Sequence, residues 1–359
     1  MKKFISKLTL VLFLTPLLSF GINDGKKQEK SKILKKEYNV HVNATVSLNN
    51  KYGNLNIITW NKNRVEITVK ITAKGNSLSA VERKLSSVDV HFNGNLNLVT
   101  AKTVFEKSSK WNFWNNSNKV SYQINYTVKM PVTNNVKLQN DYGNILLNEL
   151  NGKANISCDY GKIMIGKLNN SSNSISLDYC SKSTINYIKN GKVNVDYSKL
   201  TIDEANDIKL STDYSTLTFG KLKGLDFNAD YGSITVNEAD NIAGNSDYTG
   251  VRLGKIYKNV KLNADYGSIK IAELVKGFQN AYIDSEYTGI NIGTRSTNNF
   301  NFKIDLEYAG FRFDKSHVDI YKRIEKSSEK YYEGVYGKGK TNSTLQIKSE
   351  YGSVQFKQL

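Results

Sequence analysis

From about residue 132 the chain is written in short alternating runs of apolar and polar residues, each broken at a bend and then resumed. Val260, Leu262 and Ala264 alternate before Tyr266, and Ile269 and Ile271 resume after it. The same layout recurs as Leu225, Phe227, Ala229 then Ile234, Val236, and as Phe302, Ile304, Leu306 then Phe311, Phe313. Period two on both sides of a bend predicts two short strands joined at a corner. A further apolar residue, as Leu150, Leu168, Leu222, Ile256 and Leu274, follows at a constant distance and predicts a core residue at the next corner.

The bend carries a signature. An acid precedes a tyrosine at Asp141-Tyr142, Asp159-Tyr160, Asp178-Tyr179, Asp196-Tyr197, Asp213-Tyr214, Asp230-Tyr231, Asp247-Tyr248 and Asp265-Tyr266, then at Glu286-Tyr287, Glu307-Tyr308 and Glu350-Tyr351. Tyr52-Gly53 is an isolated early copy. The interval is about 18 residues, the spacing of a repeat that cannot bury its inward face alone and must stack on its neighbours. The fold class expected is all-β: a β-helix or solenoid over residues 132–313, with rungs of about 18 residues pairing in parallel at the usual strand spacing. Antiparallel hairpins are the rival, but a unit of constant register repeated in one direction suits a solenoid better. The six-residue substructure of the left-handed hexapeptide helix is absent. Tyr179 is followed by Cys180 and Lys182 where an apolar residue belongs, which predicts a bulge. Residues 314–359 read as a charged excursion, a short helix or hairpin, followed by a terminal rung over Leu345 to Phe356, with the rung or the excursion covering the open end.

Ahead of the repeats, residues 37–131 are less regular and predict a β-rich cap with one short helix over Ser77 to Ser86. Residues 22–36 are lysine-rich and are expected to be a disordered linker. At the start, Lys2, Lys3 and Lys7 precede an apolar run from Leu8 to Phe20, and Ser19 and Gly21 supply the small residues of a cleavage site. Residues 1–21 therefore read as a signal peptide. With no cysteine beside the cleavage point, the exported protein is not expected to be a lipoprotein. No second apolar run of spanning length follows, so no transmembrane segment is expected in the mature chain.

Composition adds partners and compartment. Among 359 residues there are 22 Tyr but 2 Pro, and the formal net charge is +17. In an exported protein that charge favours anionic glycan, lipopolysaccharide or phospholipid headgroups, although dispersed lysines also serve solubility alone. Nucleic acid is not an expected partner. Cys158 and Cys180 fall at different positions of neighbouring repeats, which predicts two buried, unbridged thiols.

The signal peptide, the early rung over Val46 to Ile57, the helix near Val81 and the repeated Asp-Tyr-Gly turns together resemble the bacterial "putative adhesin" domain family of the DUF4097 type, as found in Bacteroidetes. The resemblance spans the mature chain and rests on repeat pattern. It implies a single-stranded right-handed β-helix in the cell envelope, in the periplasm, at the surface or secreted, and it implies no catalytic residue set.

Candidate chemistry is sparse. The acid column is expected to accept backbone N–H bonds at each corner, and calcium is not expected, because the glycine-rich pattern of calcium-binding solenoids is missing. Each Tyr shares the inward phase of the strand before it, which predicts partly buried rings that stack and hold register. The polar row Gln139, Ser157, Ser176, Asn194, Ser211, Asn228, Asn245 and Asn263 reads equally as an amide ladder or as a glycan track. Trp111, Phe113 and Trp114, set among Asn and Lys between two strands, are the binding candidates, against a loop folded back as a cap. His41, His91 and His317 show no metal spacing, and neither a cofactor nor an enzyme is expected. The function expected is a non-catalytic envelope binding or structural protein recognising a glycan or an envelope partner. The alternatives are a sensory protein working through protein contacts, and a β-helix polysaccharide lyase or hydrolase.

Overall fold

A computed structural model describes residues 27–106 and 120–359, and among these it holds 24 strands and one helix. Residues 1–21, read from the sequence as a signal peptide, and the Trp111, Phe113 and Trp114 candidates lie outside the described residues. The chain divides into two units, one ending at Asn148 and the other running Glu149–Leu359.

In the first unit, β1 (Gln28–Asn39), β2 (Thr45–Lys51), β3 (Leu55–Trp60) and β4 (Arg64–Gly75) precede α1 (Leu78–Ser86). Then come β5 (Val88–Gly94), β6 (Leu98–Phe105), β7 (Ser121–Pro131), β8 (Asn135–Asp141) and β9 (Asn144–Leu150). The pair β2–β3, which flanks Tyr52, lies between two others: β2 pairs in parallel with β6 and β8, and β3 with β7 and β9. Parallel pairing stops there, for β4 runs antiparallel to β7 and β5 antiparallel to β6. Helix α1 buries Ala80 and Val81 and carries Arg83 and Lys84 in its last turn, where cations suit the helix dipole.

One expectation fails here. Residues 28–36, read as a disordered linker, belong to β1, which pairs antiparallel with β4 from Gln28 opposite Gly75 to Asn39 opposite Arg64. The segment lacks a buried apolar face, so periodicity could not reveal it. The edge of β4 supplies its hydrogen bonds, and ion pairs join Glu29 to Lys74 and Lys30 to Glu82 at 3.3 and 3.2 Å.

The second unit carries most of the repeats. Its strands are β10 (Ala154–Asp159), β11 (Lys162–Leu168), β12 (Asn173–Asp178), β13 (Ser183–Asp196), β14 (Lys199–Asp213) and the long β15 (Thr216–Asp265), which bends through three further repeats. After them come β16 (Ser268–Leu274), β17 (Asn280–Glu286), β18 (Gly289–Thr294), β19 (Phe300–Glu307) and β20 (Gly310–Arg312). As far as β18 each repeat pairs in parallel with the next, so inward side chains form columns. Ile156 lies opposite Ile175, then Val193, Leu210 and Phe227 in turn, and all five are buried. Leu168, Leu222, Ile256 and Leu274 are buried as expected. At the irregular corner both Tyr179 and Lys182 have positive φ, which turns Cys180 inward.

The chain then reverses. β21 (Val318–Glu325) and β22 (Glu329–Tyr336) form an antiparallel hairpin, and β22 lies antiparallel on β19. The last pair, β23 (Thr344–Glu350) and β24 (Ser353–Gln358), forms the expected terminal rung but not at an open end. It is interposed: β23 pairs with both β17 and β19, and β24 with both β18 and β20. The hairpin occupies the far side of β19, so of the two candidates it is the excursion that does the covering.

Phe227 is 1% exposed, and its ring lies where a side chain on Gly244 would have to go. Phe227→Ala is therefore expected to destabilise the protein by about 3–5 kcal/mol in urea unfolding, because the next repeat cannot collapse into the space.

Candidate functional site

The acid-tyrosine corners are the most extended surface feature. Every corner tyrosine, from Tyr52 and Tyr142 to Tyr351, has φ between 46° and 64°. That left-handed conformation costs an L-residue roughly 1–2 kcal/mol. It also explains a misreading. Alternation would turn each ring inward with the strand before it, but the left-handed residue breaks the alternation and throws the ring outward. The rings of the second unit are 44% to 58% exposed rather than partly buried.

Three interactions offset the strain. In the second unit the rings form one continuous stack through Tyr160, Tyr179, Tyr197, Tyr214, Tyr231, Tyr248, Tyr266, Tyr287, Tyr351 and Tyr308, with centroids 4.7 to 5.0 Å apart and planes within 11°. In the first unit Tyr52 stacks on Tyr142 at 5.3 Å. Second, the tyrosine N–H donates to the acid's carbonyl in the next repeat, as from Tyr197 to Asp213 and Tyr214 to Asp230, both at 3.0 Å. Third, at most corners the residue after the tyrosine either donates a buried hydroxyl to the acid's carbonyl or is glycine, Cys180 and Ala309 being the exceptions. Ser198, Ser215, Thr249 and Thr288 do the former at 2.7 to 2.9 Å. At Gly232 a Cβ would stand 2.2 Å from the Ser215 carbonyl, so no larger residue fits.

The carboxylates do less than the sequence suggested. In the column from Asp178 onward, and among the described residues, Asp196 alone accepts a main-chain N–H, from Asp213 at 3.1 Å. It is the acid's carbonyl, not its carboxylate, that closes the corner. Burial pushes the Asp196 carboxyl above its ordinary value, reinforced by Asp178 and Asp213. Asp247 is raised likewise, by burial first and then by Asp265 and Asp230. Among the described residues no group of three or more His, Cys, Asp or Glu is gathered so as to hold a metal ion. Part of the polar row is an amide ladder: Asn263 donates to Asn245 at 2.8 Å and Asn245 to Asn228 at 2.9 Å. The Cys180 thiol is buried and donates to the Cys158 carbonyl at 3.0 Å.

Stacking has a chemical consequence. A sugar ring binds an aromatic by lying on its face, and within the stack each face is covered by the next tyrosine. What the stack offers solvent is ring edges and hydroxyls.

A different arrangement occurs in the first unit, and the sequence pattern did not reveal it. The ring of Tyr52 meets Tyr122 edge-on at 5.1 Å and Phe105 at 6.0 Å. The Lys84 ammonium sits 4.4 Å from the Tyr122 ring centre, and Lys51 lies 5.4 and 5.5 Å from those of Tyr52 and Tyr142. Tyr52, Asn54, Tyr122, Gln123 and Tyr142 line a shallow hollow of about 340 Å³. Burial lowers the Lys84 ammonium below its ordinary value, while burial and Tyr52 push the Tyr122 phenol up to about 12. Phe105 and Tyr122 bracket in sequence the segment that holds Trp111, Phe113 and Trp114. Tyr122 follows no acid and sits outside the repeat, so no periodic signal marked it.

Two outcomes follow from the corner geometry. Tyr231→Gly is expected to unfold at higher urea than Tyr231→Ala, by about 1 kcal/mol, because both lose the stack but only Ala keeps the strain. Asp196→Asn with Asp247→Asn is expected to raise Tm by about 1–3 °C at neutral pH. A raised carboxyl favours the fold while protonated and loses that contribution as pH rises through its folded value. The gain should therefore vanish below about pH 4, where the wild-type acids are protonated too.

No family model matches the chain, and no curated protein matches it. Among solved structures it is similar to a "putative lipid binding protein" from Parabacteroides distasonis, at 13% identity over 90% of this chain and 96% of that one, with a TM-score of 0.34. A "putative adhesin" from the same organism is 12% identical over 73% of this chain and 93% of that one, with a TM-score of 0.33. A "putative adhesin" from Parabacteroides merdae is 13% identical over 93% and 97%, with a TM-score of 0.27.

Proposed function

We propose that the protein is a non-catalytic β-solenoid of the bacterial cell envelope, exported by its signal peptide, and that it acts as an adhesin for an anionic glycan. The solenoid reading is supported by parallel pairing that repeats at every corner and by unbroken inward columns such as that from Ile156 to Phe227. The family resemblance of the repeat agrees with it. Lipopolysaccharide is the ligand class that the envelope location and the basic net charge favour.

The observation that carries the glycan reading is the hollow at Tyr52 and Tyr122. Here Tyr52 stacks on Tyr142 but meets Tyr122 edge to face, so the Tyr122 ring remains outside the stack, and Asn54 and Gln123 stand beside it. Lys51 and Lys84 place positive charge over the same rings. An acidic sugar fits that combination of ring, amide and ammonium. Trp111, Phe113 and Trp114 belong to the segment that joins Phe105 to Tyr122 and are proposed to extend the contact.

Binding to arrays of acidic glycans, lipopolysaccharide included, checks this. Tyr122→Ala and Trp111→Ala with Trp114→Ala are each expected to weaken binding about tenfold or more, consistent with aromatic anchors. Binding should also weaken at alkaline pH, as Lys84 loses its proton while Tyr122 stays neutral. No glycan binding, together with capture of one specific envelope protein, would replace the adhesin with a protein-contact role.

A further inference from the structure

The terminal strand pair occupies a place its position in the chain does not require. The repeats around Tyr287 and Tyr308 are consecutive in sequence, yet β23 and β24 separate them. Asn280 and Asn301 both lie opposite Thr344, and Glu286 and Glu307 both lie opposite Glu350. The ring of Tyr351 is held between Tyr287 at 4.8 Å and Tyr308 at 5.0 Å. Main-chain bonds thread the same order, from Tyr287 N–H to the Glu350 carbonyl and from Tyr351 N–H to the Glu307 carbonyl, both at 2.9 Å.

The two walls of this slot complement each other without the insert. Because both share one register with β23, closing them would set Ile283 against Ile304, Ile290 against Phe311 and Tyr287 against Tyr308. Those are the column and corner matches of every other repeat. The inserted strands can therefore leave without creating a mismatch, and their loss of burial is offset in part by the pairing that replaces them.

The connection suits such movement. Between β22 and β23 the chain must cross β19, and it does so through Gly337 and Gly339, whose φ values are 75° and 94°. A side chain at Gly339 would have only the Asn299 amide nearby, at 3.8 Å, whereas one at Gly337 would stand 2.1 Å from the Asn298 carbonyl, so the open point of this connection is Gly339. Around Gly339 its ties to the body are exposed amide bonds, from Asn299 to the carbonyls of Lys338 and Lys340 at 3.4 and 3.2 Å, while firmer bonds hold its two ends, from the Gly337 N–H to the His317 carbonyl at 2.8 Å and from the Thr341 hydroxyl to the Asn299 carbonyl at 3.1 Å.

We propose that residues 344–358 are an exchangeable insert, and that the slot between the Tyr287 and Tyr308 repeats is a binding site for the same segment of a second copy of this chain. The occupant is fixed by the slot's own chemistry. It must supply alternating apolar residues, as Leu345 and Ile347, a corner Glu-Tyr, as Glu350-Tyr351, and then Val354 and Phe356, all in parallel register. A second copy carries that segment on a tether, and exchange of identical elements is a low-cost route to association.

Ser285 and Ser349 are register partners across β17 and β23, at a separation a disulfide can span. In the full chain carrying Ser285→Cys and Ser349→Cys, oxidation reports where the insert sits: a bridge within one chain, or a bridge between two. Interchain product is expected to rise about tenfold or more when the chain is held at about hundredfold higher concentration before oxidation. Deleting residues 338–340, so that the insert cannot return to its own slot, should make the interchain bridge the main product. The wild-type chain should also slowly capture a fluorescent peptide of residues 341–359, one per chain, and reject the same peptide carrying Ile347→Asp. Intrachain bridges alone at every concentration and with the shortened connection would overturn the proposal, as would failure of the wild-type chain to capture the peptide.

Discussion

The structure depends on one constraint: a tyrosine forced into the left-handed conformation at every corner and held there by the tyrosine of the next repeat. The unfavourable backbone turns the chain through a tight bend, with the carbonyl of the preceding acid accepting the tyrosine N–H of the repeat before it. The ring spacing of 4.7 to 5.0 Å in the second unit is the spacing of neighbouring strands, so stacking and strand pairing demand the same geometry. A slip of one residue would break both at once and turn the inward column from Ile156 to Phe227 toward water.

That constraint separates register from recognition. A continuous stack spends its ring faces on itself, and the acids beside it use their carbonyls for the turn. Like charges then lie one above another at strand spacing, which is why burial and neighbours together raise Asp196 and Asp247. Recognition is better served where the pattern lapses. In the first unit the Tyr52 ring, stacked on Tyr142, meets Tyr122 and Phe105 edge-on, and Lys51 and Lys84 lie over the rings.

Much of the strand layout was legible from alternation, because inward columns need apolar residues at period two whatever the turn. The corner positions were legible too, since a left-handed residue between two strands leaves a composition mark. Ring direction was not, because parity assumes extended backbone and Tyr266 is not extended. β1 was missed since its partner, not its own residues, makes it a strand: Lys32, Lys35 and Lys36 have no apolar face to betray pairing with β4. The place of the terminal strands was also hidden. The corner at Glu350-Tyr351 announces a repeat but carries nothing to say which two repeats it lies between, and only pairing with β17 and β19 decides that. The hollow at Tyr52 was half legible, for Tyr52 is a repeat corner whereas Tyr122 lies outside the period.

Amide hydrogen exchange on Tyr231→Ala tests the central claim most directly. If the corner tyrosine sets register, the Tyr214 N–H, which donates to the Asp230 carbonyl at 3.0 Å, should lose protection along with the main chain of the repeats on both sides. Unchanged protection at Tyr214 and its neighbours, with loss confined to residue 231, would contradict the account and return the tyrosine stack to the status of a surface ornament.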